Sequence, residues 1–210
     1  MRVSMSDMSK VGSHVPRTRI EGLSDLIFGL ALSIGAIQLV GNSPKTHGQL
    51  ITALAAFGFS FLILVNVWHR YTTIVSLVPV ETAGMMRLNM LLLFLVAVEP
   101  YLFNLLVVQG MASLPLGQDV SAYFALDIGG MNLVLAYFAH LLTREEKKLT
   151  APELIHGFRL TRDRIFVAGL IFVISATPIF WTIGIVGVPM RVILWVLTLP
   201  LLWLSRVFAK

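Results

Sequence analysis

Long apolar runs alternate with short polar breaks along nearly the whole chain. A membrane-spanning helix needs about 20 mostly apolar residues. Six runs meet that length: Ile20 to Val40, Leu50 to Trp68, Leu88 to Val108, Tyr123 to Leu142, Ile165 to Ile185 and Met190 to Phe208. The breaks carry turn chemistry. Gly41-Asn42-Ser43-Pro44 closes the first run, and Ser113 to Gly117, with Pro115 inside, separates the third from the fourth. Gly184, Gly187 and Pro189 predict a very short turn that makes the last two helices antiparallel neighbours. The longest polar stretch runs from Thr143 to Arg164, with a short amphipathic surface helix expected around Pro152 to Leu160.

Composition supports this pattern. Hydrophobic residues make up 57% of the 210 residues, charged residues 13%, and mean hydropathy is +0.84. A soluble domain carries about 25% charge, so this chain cannot cover a water-facing surface. The absence of cysteine excludes a disulfide scaffold, thiol catalysis and Cys-ligated zinc. The fold class expected is an all-α membrane protein with six transmembrane helices. Residues 1–18 form a polar tail and residues 19–210 the transmembrane domain. No apolar core precedes a cleavage site near the N-terminus, so no signal peptide is expected.

The net charge of +5 does not call for nucleic acid. With the N-terminus inside, fourteen of the sixteen Lys and Arg fall on the inner side, leaving Lys45 and Arg191 outside. Inner loops of membrane proteins collect such charge, so both termini are expected in the cytoplasm.

Ionisable groups within the bilayer are costly and are functional candidates by default. The first run holds the densest set: Arg19, Glu21, Ser24 and Asp25. Arg19 and Asp25 are six residues apart, about 9 Å along a helix, which suits an intrahelical pair poorly. Asp25 therefore needs a partner on another helix, with His69, Arg70 and Asn66 as candidates. Such a cluster either locks helices together or acts directly on a permeant species. Further along, Leu30, Ile34 and Ile37 share one face, beside a stripe of small residues at Gly29, Ser33 and Ala36 that would allow close helix packing. That pattern fits core, lipid or pore. Elsewhere, Glu99 precedes Pro100, which predicts a kink near the outer mouth rather than a proton relay. Asn104, Asp127, Asn132 and His140 read as interhelical hydrogen-bonding groups. The five histidines lack metal-ligand spacing, and no metal or cofactor is expected.

The run from Arg19 to Asp25 resembles the Arg-x-x-x-Phe-Ser-Asp signature of the transmembrane protein 175 family, potassium channels of lysosomes with simpler prokaryotic relatives. Phe28-Gly29-Leu30 and Ser33-Ile34 resemble the residues next after the signature in that family. Phe59-Ser60-Phe61 with Trp68-His69 is similar to its second helix, and Arg87-Leu88-Asn89 to the start of its third. The resemblance covers about the first 105 residues. Leu23 stands where the signature has Phe, Ser33 where the family usually has Thr, and the spacing to the second-helix His is tighter.

The resemblance implies a passive potassium or cation channel, not an enzyme, working in a lipid bilayer. It implies a homotetramer with the first helices lining a central pore. The constriction would then be rings of Leu30, Ile34 and Ile37, with Ser33 between or behind them, instead of a carbonyl filter. Arg19, Leu23, Ser24, Asp25, Trp68 and His69 would form the signature and the network that braces the first helix. The single repeat and the lack of a targeting extension point to a prokaryotic plasma membrane. The alternative class is a secondary transporter, which would favour inverted repeats and broken midplane helices; Gly35 and Pro178 keep it open. An intramembrane enzyme would have only Asp25 and His69 as a dyad.

Overall fold

A computed structural model describes residues 19–41, 44–75, 83–108, 116–143, 152–185 and 187–207. Among these are seven helices and one small hairpin. The helices are α1 (Arg19–Gly41), α2 (His47–Val75), α3 (Ala83–Val108), α4 (Leu116–Leu142), α5 (Pro152–Ser175), the single turn α6 (Ile179–Thr182) and α7 (Met190–Val207). The hairpin joins β1 (Gly184–Ile185) to β2 (Val188–Pro189). Among the described residues, α2, α3 and α4 are long and apolar enough on their own to cross a membrane.

Within the described residues, five of the six apolar runs each lie inside one helix. The fifth does not. Its helix starts far upstream at Pro152 and stops at Ser175, so the expected surface helix at Pro152 to Leu160 is simply the start of α5. The remainder of the run folds into α6 and the antiparallel hairpin, with Gly184 opposite Pro189 and Ile185 opposite Val188. Gly187 sits at φ +77°, where a side chain would be strained. A Cβ on Gly184 would lie 2.7 Å from the Val188 carbonyl oxygen. The turns at 42–43, 76–82 and 109–115, the tail at 1–18, Arg144, Lys147, Lys148 and Phe208 lie outside the described residues.

The bundle is organised around α4, which packs against α5, α3 and α2 and has most of its residues buried. Its crossing with α5 is close because it is made by glycines. A Cβ on Gly129 would sit 2.7 Å from Val173 Cγ2 and 3.1 Å from the Gly169 carbonyl oxygen, and one on Gly169 would press on Leu133. Small residues let helix backbones approach in lipid, where no hydrophobic force draws helices together. On the opposite flank, α1 rests on α3 and α2, while α7 rests on α5. A train of rings runs from Phe59 through Phe103, Phe124 and Trp195 to Phe172, with centroids 5.1–6.1 Å apart, and joins the two halves.

Arg191, counted with the outer side by charge, is a structural cap. It lies in the first turn of α7 and is fully buried. Its guanidinium donates to the carbonyls of Ser175, Ala176, Thr177 and Gln118 at 2.6–3.0 Å and to the Ser121 hydroxyl. A helix C-terminus leaves carbonyls without partners and carries partial negative charge. Arg191 answers both at the end of α5.

Candidate functional site

The residues of α1 divide into two faces. Ser24, Phe28 and Ala31 are buried against the neighbouring helices, and Gly35 faces Phe57, whose ring would lie 3.5 Å from a Cβ. The other face belongs to no helix of this chain. Leu23, Leu26, Leu30, Ile34 and Ile37 form a continuous exposed stripe at helical spacing; Leu30 is 57% exposed and Ile37 67%. Gly29, Ser33 and Ala36 are exposed beside it. Among the described residues, these small residues make no close helix contact. The packing face is Ser24, Phe28, Ala31 and Gly35, one side further round. The Ser33 hydroxyl donates to the Gly29 carbonyl at 2.8 Å, a bond within the helix that holds its lone pairs outward.

What fixes α1 is a chain of polar contacts at its N-terminal half. Ser24 Oγ lies 2.6 Å from Tyr71 Oη, and the Tyr71 hydroxyl donates to Asn89 Oδ1 at 2.9 Å. A phenol has one proton; since Tyr71 gives it to Asn89, Ser24 is the donor to Tyr71. Phe28 stacks its ring 5.6 Å from that of Tyr71. Beside this chain, Trp68 Nε1 donates to Asp25 Oδ1 at 3.2 Å. Three helices thus meet through α1 residues 24 and 25, α2 residues 68 and 71, and α3 residue 89.

Among the candidates named for Asp25, the described partner is none of His69, Arg70 and Asn66; it is Trp68. Arg70 is buried on α2 and donates to Asn132 Oδ1 of α4 at 3.3 Å. His69 is exposed on α2. Leu23 lies on the exposed stripe, not in the network. The side chain of Arg19 lies outside the described residues. The sequence pattern alone does not point to Tyr71, and it marks Asn89 only through the resemblance of Arg87-Leu88-Asn89 to the family's third helix. Tyr71 stands three residues after Trp68, on the same side of the helix, but only the packing of α1 against α2 brings it to Ser24.

Glu99 is fully buried within the chain. Ser60 of α2 donates to its Oε1 at 2.8 Å and lies 3.2 Å from its Oε2. The helix α3 runs on unbroken through Pro100. Asn132 bonds the Ile128 carbonyl and Arg70, and His140 Nδ1 lies 3.3 Å from Arg162, so both behave as interhelical polar groups. Asp127 is buried with neither carboxylate oxygen hydrogen-bonded among the described residues. No group of three potential metal-ligating side chains occurs there either.

Comparison with known proteins fits this arrangement. Residues 19–100 match the family described as Endosomal/lysosomal potassium channel TMEM175. No curated protein matches the chain. Among solved structures, a lysosomal potassium-selective channel TMEM175 homolog from Chamaesiphon minutus superposes with a TM-score of 0.60 at 20% identity, covering 89% of this chain and 96% of the other. A variant of the potassium channel MtTMEM175, solved with a nanobody–MBP fusion, gives 0.61 at 17% identity, covering 92% and 94%. The matched residues include α1 with its exposed stripe and every member of the bracing network. Residues 19–100 thus resemble the TMEM175 family in sequence, and nearly the whole chain shares the fold of these two channel structures.

Proposed function

We propose that this chain is one subunit of a passive potassium channel, that four copies surround a central pore, and that α1 lines it. The observation that carries the reading is the divided α1. One face is fixed to α2 and α3 by buried polar contacts, and the other offers a stripe of branched apolar side chains with no partner among the described residues. A single such helix cannot enclose a pore, so a ring of identical subunits with cyclic symmetry follows. In that ring Leu30, Ile34 and Ile37 form successive narrow collars, which gate by excluding water. Ser33 lies between them. The bracing network of Ser24, Asp25, Trp68, Tyr71 and Asn89, with Arg19, Leu23 and His69 around it, sets the angle at which α1 meets the axis. The charge bias of the chain supports cytoplasmic termini.

The test is potassium flux into liposomes holding the purified protein, with Leu30→Ala and Ile34→Ala beside the wild type. Passive flux that follows the gradient, and that changes in size or in potassium-over-sodium preference in the two variants, is expected. Intact oligomers with no passive flux, or flux that saturates and is coupled to a second ion, would overturn the channel reading in favour of a transporter. Wild-type flux in both variants would remove the constriction from α1.

A further inference from the structure

A second site lies away from the α1 stripe. A cleft of about 360 Å³ opens between the last turns of α2 and the basic part of α5. That is within the roughly 300–1,000 Å³ range of small-molecule sites. Its polar wall is His69, Arg70 and Arg164, and its apolar wall is Ile74, Phe158 and Ile165. Among the described residues, no carboxylate lines it.

The charges of α5 are sorted between two sides. Arg162 is neutralised by its neighbour Asp163, with Nε at 2.8 Å and Nη2 at 2.7 Å from Oδ1, and its Nη1 faces His140. These three residues line a different crevice, with Tyr137 and Phe166. Arg164 faces the cleft and has no hydrogen bond or ion pair among the described residues. Arg70 is buried, with its guanidinium oriented by Asn132. The cleft therefore brings a half-buried arginine and a buried, oriented arginine to one cavity.

Its depth is informative. Ile165 begins the apolar run of α5, and Arg164 ends the polar stretch before it. The cleft thus sits where headgroups meet acyl chains, on the side that holds most of the basic residues. A free phosphate would use only the arginines and leave Ile74, Phe158 and Ile165 in water. A zwitterionic headgroup would bring its own cation against Arg164. A lipid with net negative charge uses both walls.

We propose that this cleft binds the headgroup of an anionic glycerophospholipid, with Arg164 and Arg70 on the phosphodiester and Phe158, Ile74 and Ile165 against the upper acyl chain. Basic pockets between transmembrane helices on the cytoplasmic side recognise lipids this way. The assignment does not depend on whether the chain conducts, because its readout is binding.

The probes are phosphatidylglycerol and phosphatidylcholine with the same acyl chains, titrated into the detergent-solubilised protein and counted by native mass spectrometry. Each arginine near a lipid phosphate contributes about fivefold in affinity. Phosphatidylglycerol is therefore expected to bind on the order of tenfold or more tightly than phosphatidylcholine. Arg164→Gln should reduce that preference about fivefold with the thermal midpoint unchanged, since Arg164 has no described bond to lose. Thr161→Glu, which places a carboxylate beside the cleft, should reduce it as well. Equal binding of the two lipids by the wild type would overturn the proposal without recourse to any variant. So would an undiminished preference in Arg164→Gln. Competition by glycerol phosphate at concentrations comparable to phosphatidylglycerol would assign the site to a free phosphate and overturn the lipid.

Discussion

Ser24 on α1 and Tyr71 on α2 hold their hydroxyls 2.6 Å apart in the interior of the bundle, and the Tyr71 hydroxyl donates a hydrogen bond to Asn89 Oδ1 on α3. One phenol thus sets the position of α1 against two helices at once. It sits one turn from Trp68, which holds Asp25. Among the described residues, the face of α1 turned away from these contacts is the exposed stripe of Leu23, Leu26, Leu30, Ile34 and Ile37.

Tyr71→Phe removes that hydroxyl and keeps the ring against Phe28. Ser24 loses its Tyr71 contact, and Asn89, whose amide nitrogen has no partner among the described residues, loses the donor to its Oδ1 as well. Leaving buried polar groups unmatched costs about 1–3 kcal/mol. The thermal midpoint of the purified protein should fall by several degrees, and flux per protein should drop because α1 is no longer held at its angle. Tyr101→Phe, on an exposed part of α3, should change neither. An unchanged midpoint in Tyr71→Phe would mean that the ring, not the hydroxyl, holds α1.

The expected helices and the structure agree wherever apolar length alone decides. Five runs form helices because a backbone in hydrocarbon must satisfy its own hydrogen bonds. The fifth run is as apolar as the others, yet Pro178, Gly184, Gly187 and Pro189 break it into a turn and a hairpin; hydropathy is blind to that difference and turn chemistry is not. The stripe of Leu30, Ile34 and Ile37 is legible in the sequence because it lies on one helix at fixed spacing. The network is only half legible. Ser24 and Asp25 stand out as polar residues in an apolar run, but Tyr71 and Asn89 join them through tertiary packing that no local spacing encodes. Arg191 is legible as a charge at the start of the last run but not as a cap, because the carbonyls it serves come from residues 175–177, across the hairpin.

Gly129 and Gly29 make a paired test of which glycines are packed. Gly129→Ala forces a Cβ to within 2.7 Å of Val173 and 3.1 Å of a backbone oxygen on α5. Overpacking of this kind costs about 1–3 kcal/mol, so the midpoint should fall. Gly29→Ala meets nothing within 4 Å in its own chain, and alanine favours a helix by about 1 kcal/mol over glycine. The isolated subunit should tolerate it. A change in flux or oligomer stability in Gly29→Ala would then report a neighbour supplied by another subunit.

Asp127 and Glu99 occupy the same level of two facing antiparallel helices. A Cβ on Gly130 would meet Leu95 at 3.1 Å, and Phe103 lies 5.6 Å from Phe124; that register sets residue 99 opposite residues 126 to 128. Ser60 serves Glu99, while Asp127 has no described hydrogen bond. A buried acid without a partner is a liability for the fold. Asp127→Asn should therefore leave the thermal midpoint unchanged or raise it, whereas Ser60→Ala, which strips Glu99 of its described donor, should lower it by about 1–3 kcal/mol in stability. A clear loss of stability in Asp127→Asn would show that the carboxylate holds a partner of its own.

Arg191 offers the sharpest test of how the second half of the bundle is closed. Its guanidinium reaches Ser175, Ala176 and Thr177 at the end of α5 and Gln118 and Ser121 at the start of α4, while its plane lies 5.6 Å from the Trp181 ring. No single-point cation can reproduce that fork. Arg191→Lys should therefore recover little of what Arg191→Gln loses, and both should destabilise by about 3–5 kcal/mol, the range for breaking a buried charged network. The loss should be local to α4, α5 and α7, because α1 and its bracing residues make no described contact with Arg191. Hydrogen exchange by mass spectrometry separates the two halves. Faster exchange in the segment from Phe172 to Leu194, with peptides from α1 and α2 protected as in the wild type, is the expected result. Equal loss of protection in α1 would mean that the two halves unfold as one unit and that the Arg191 cap secures the α1 stripe as well.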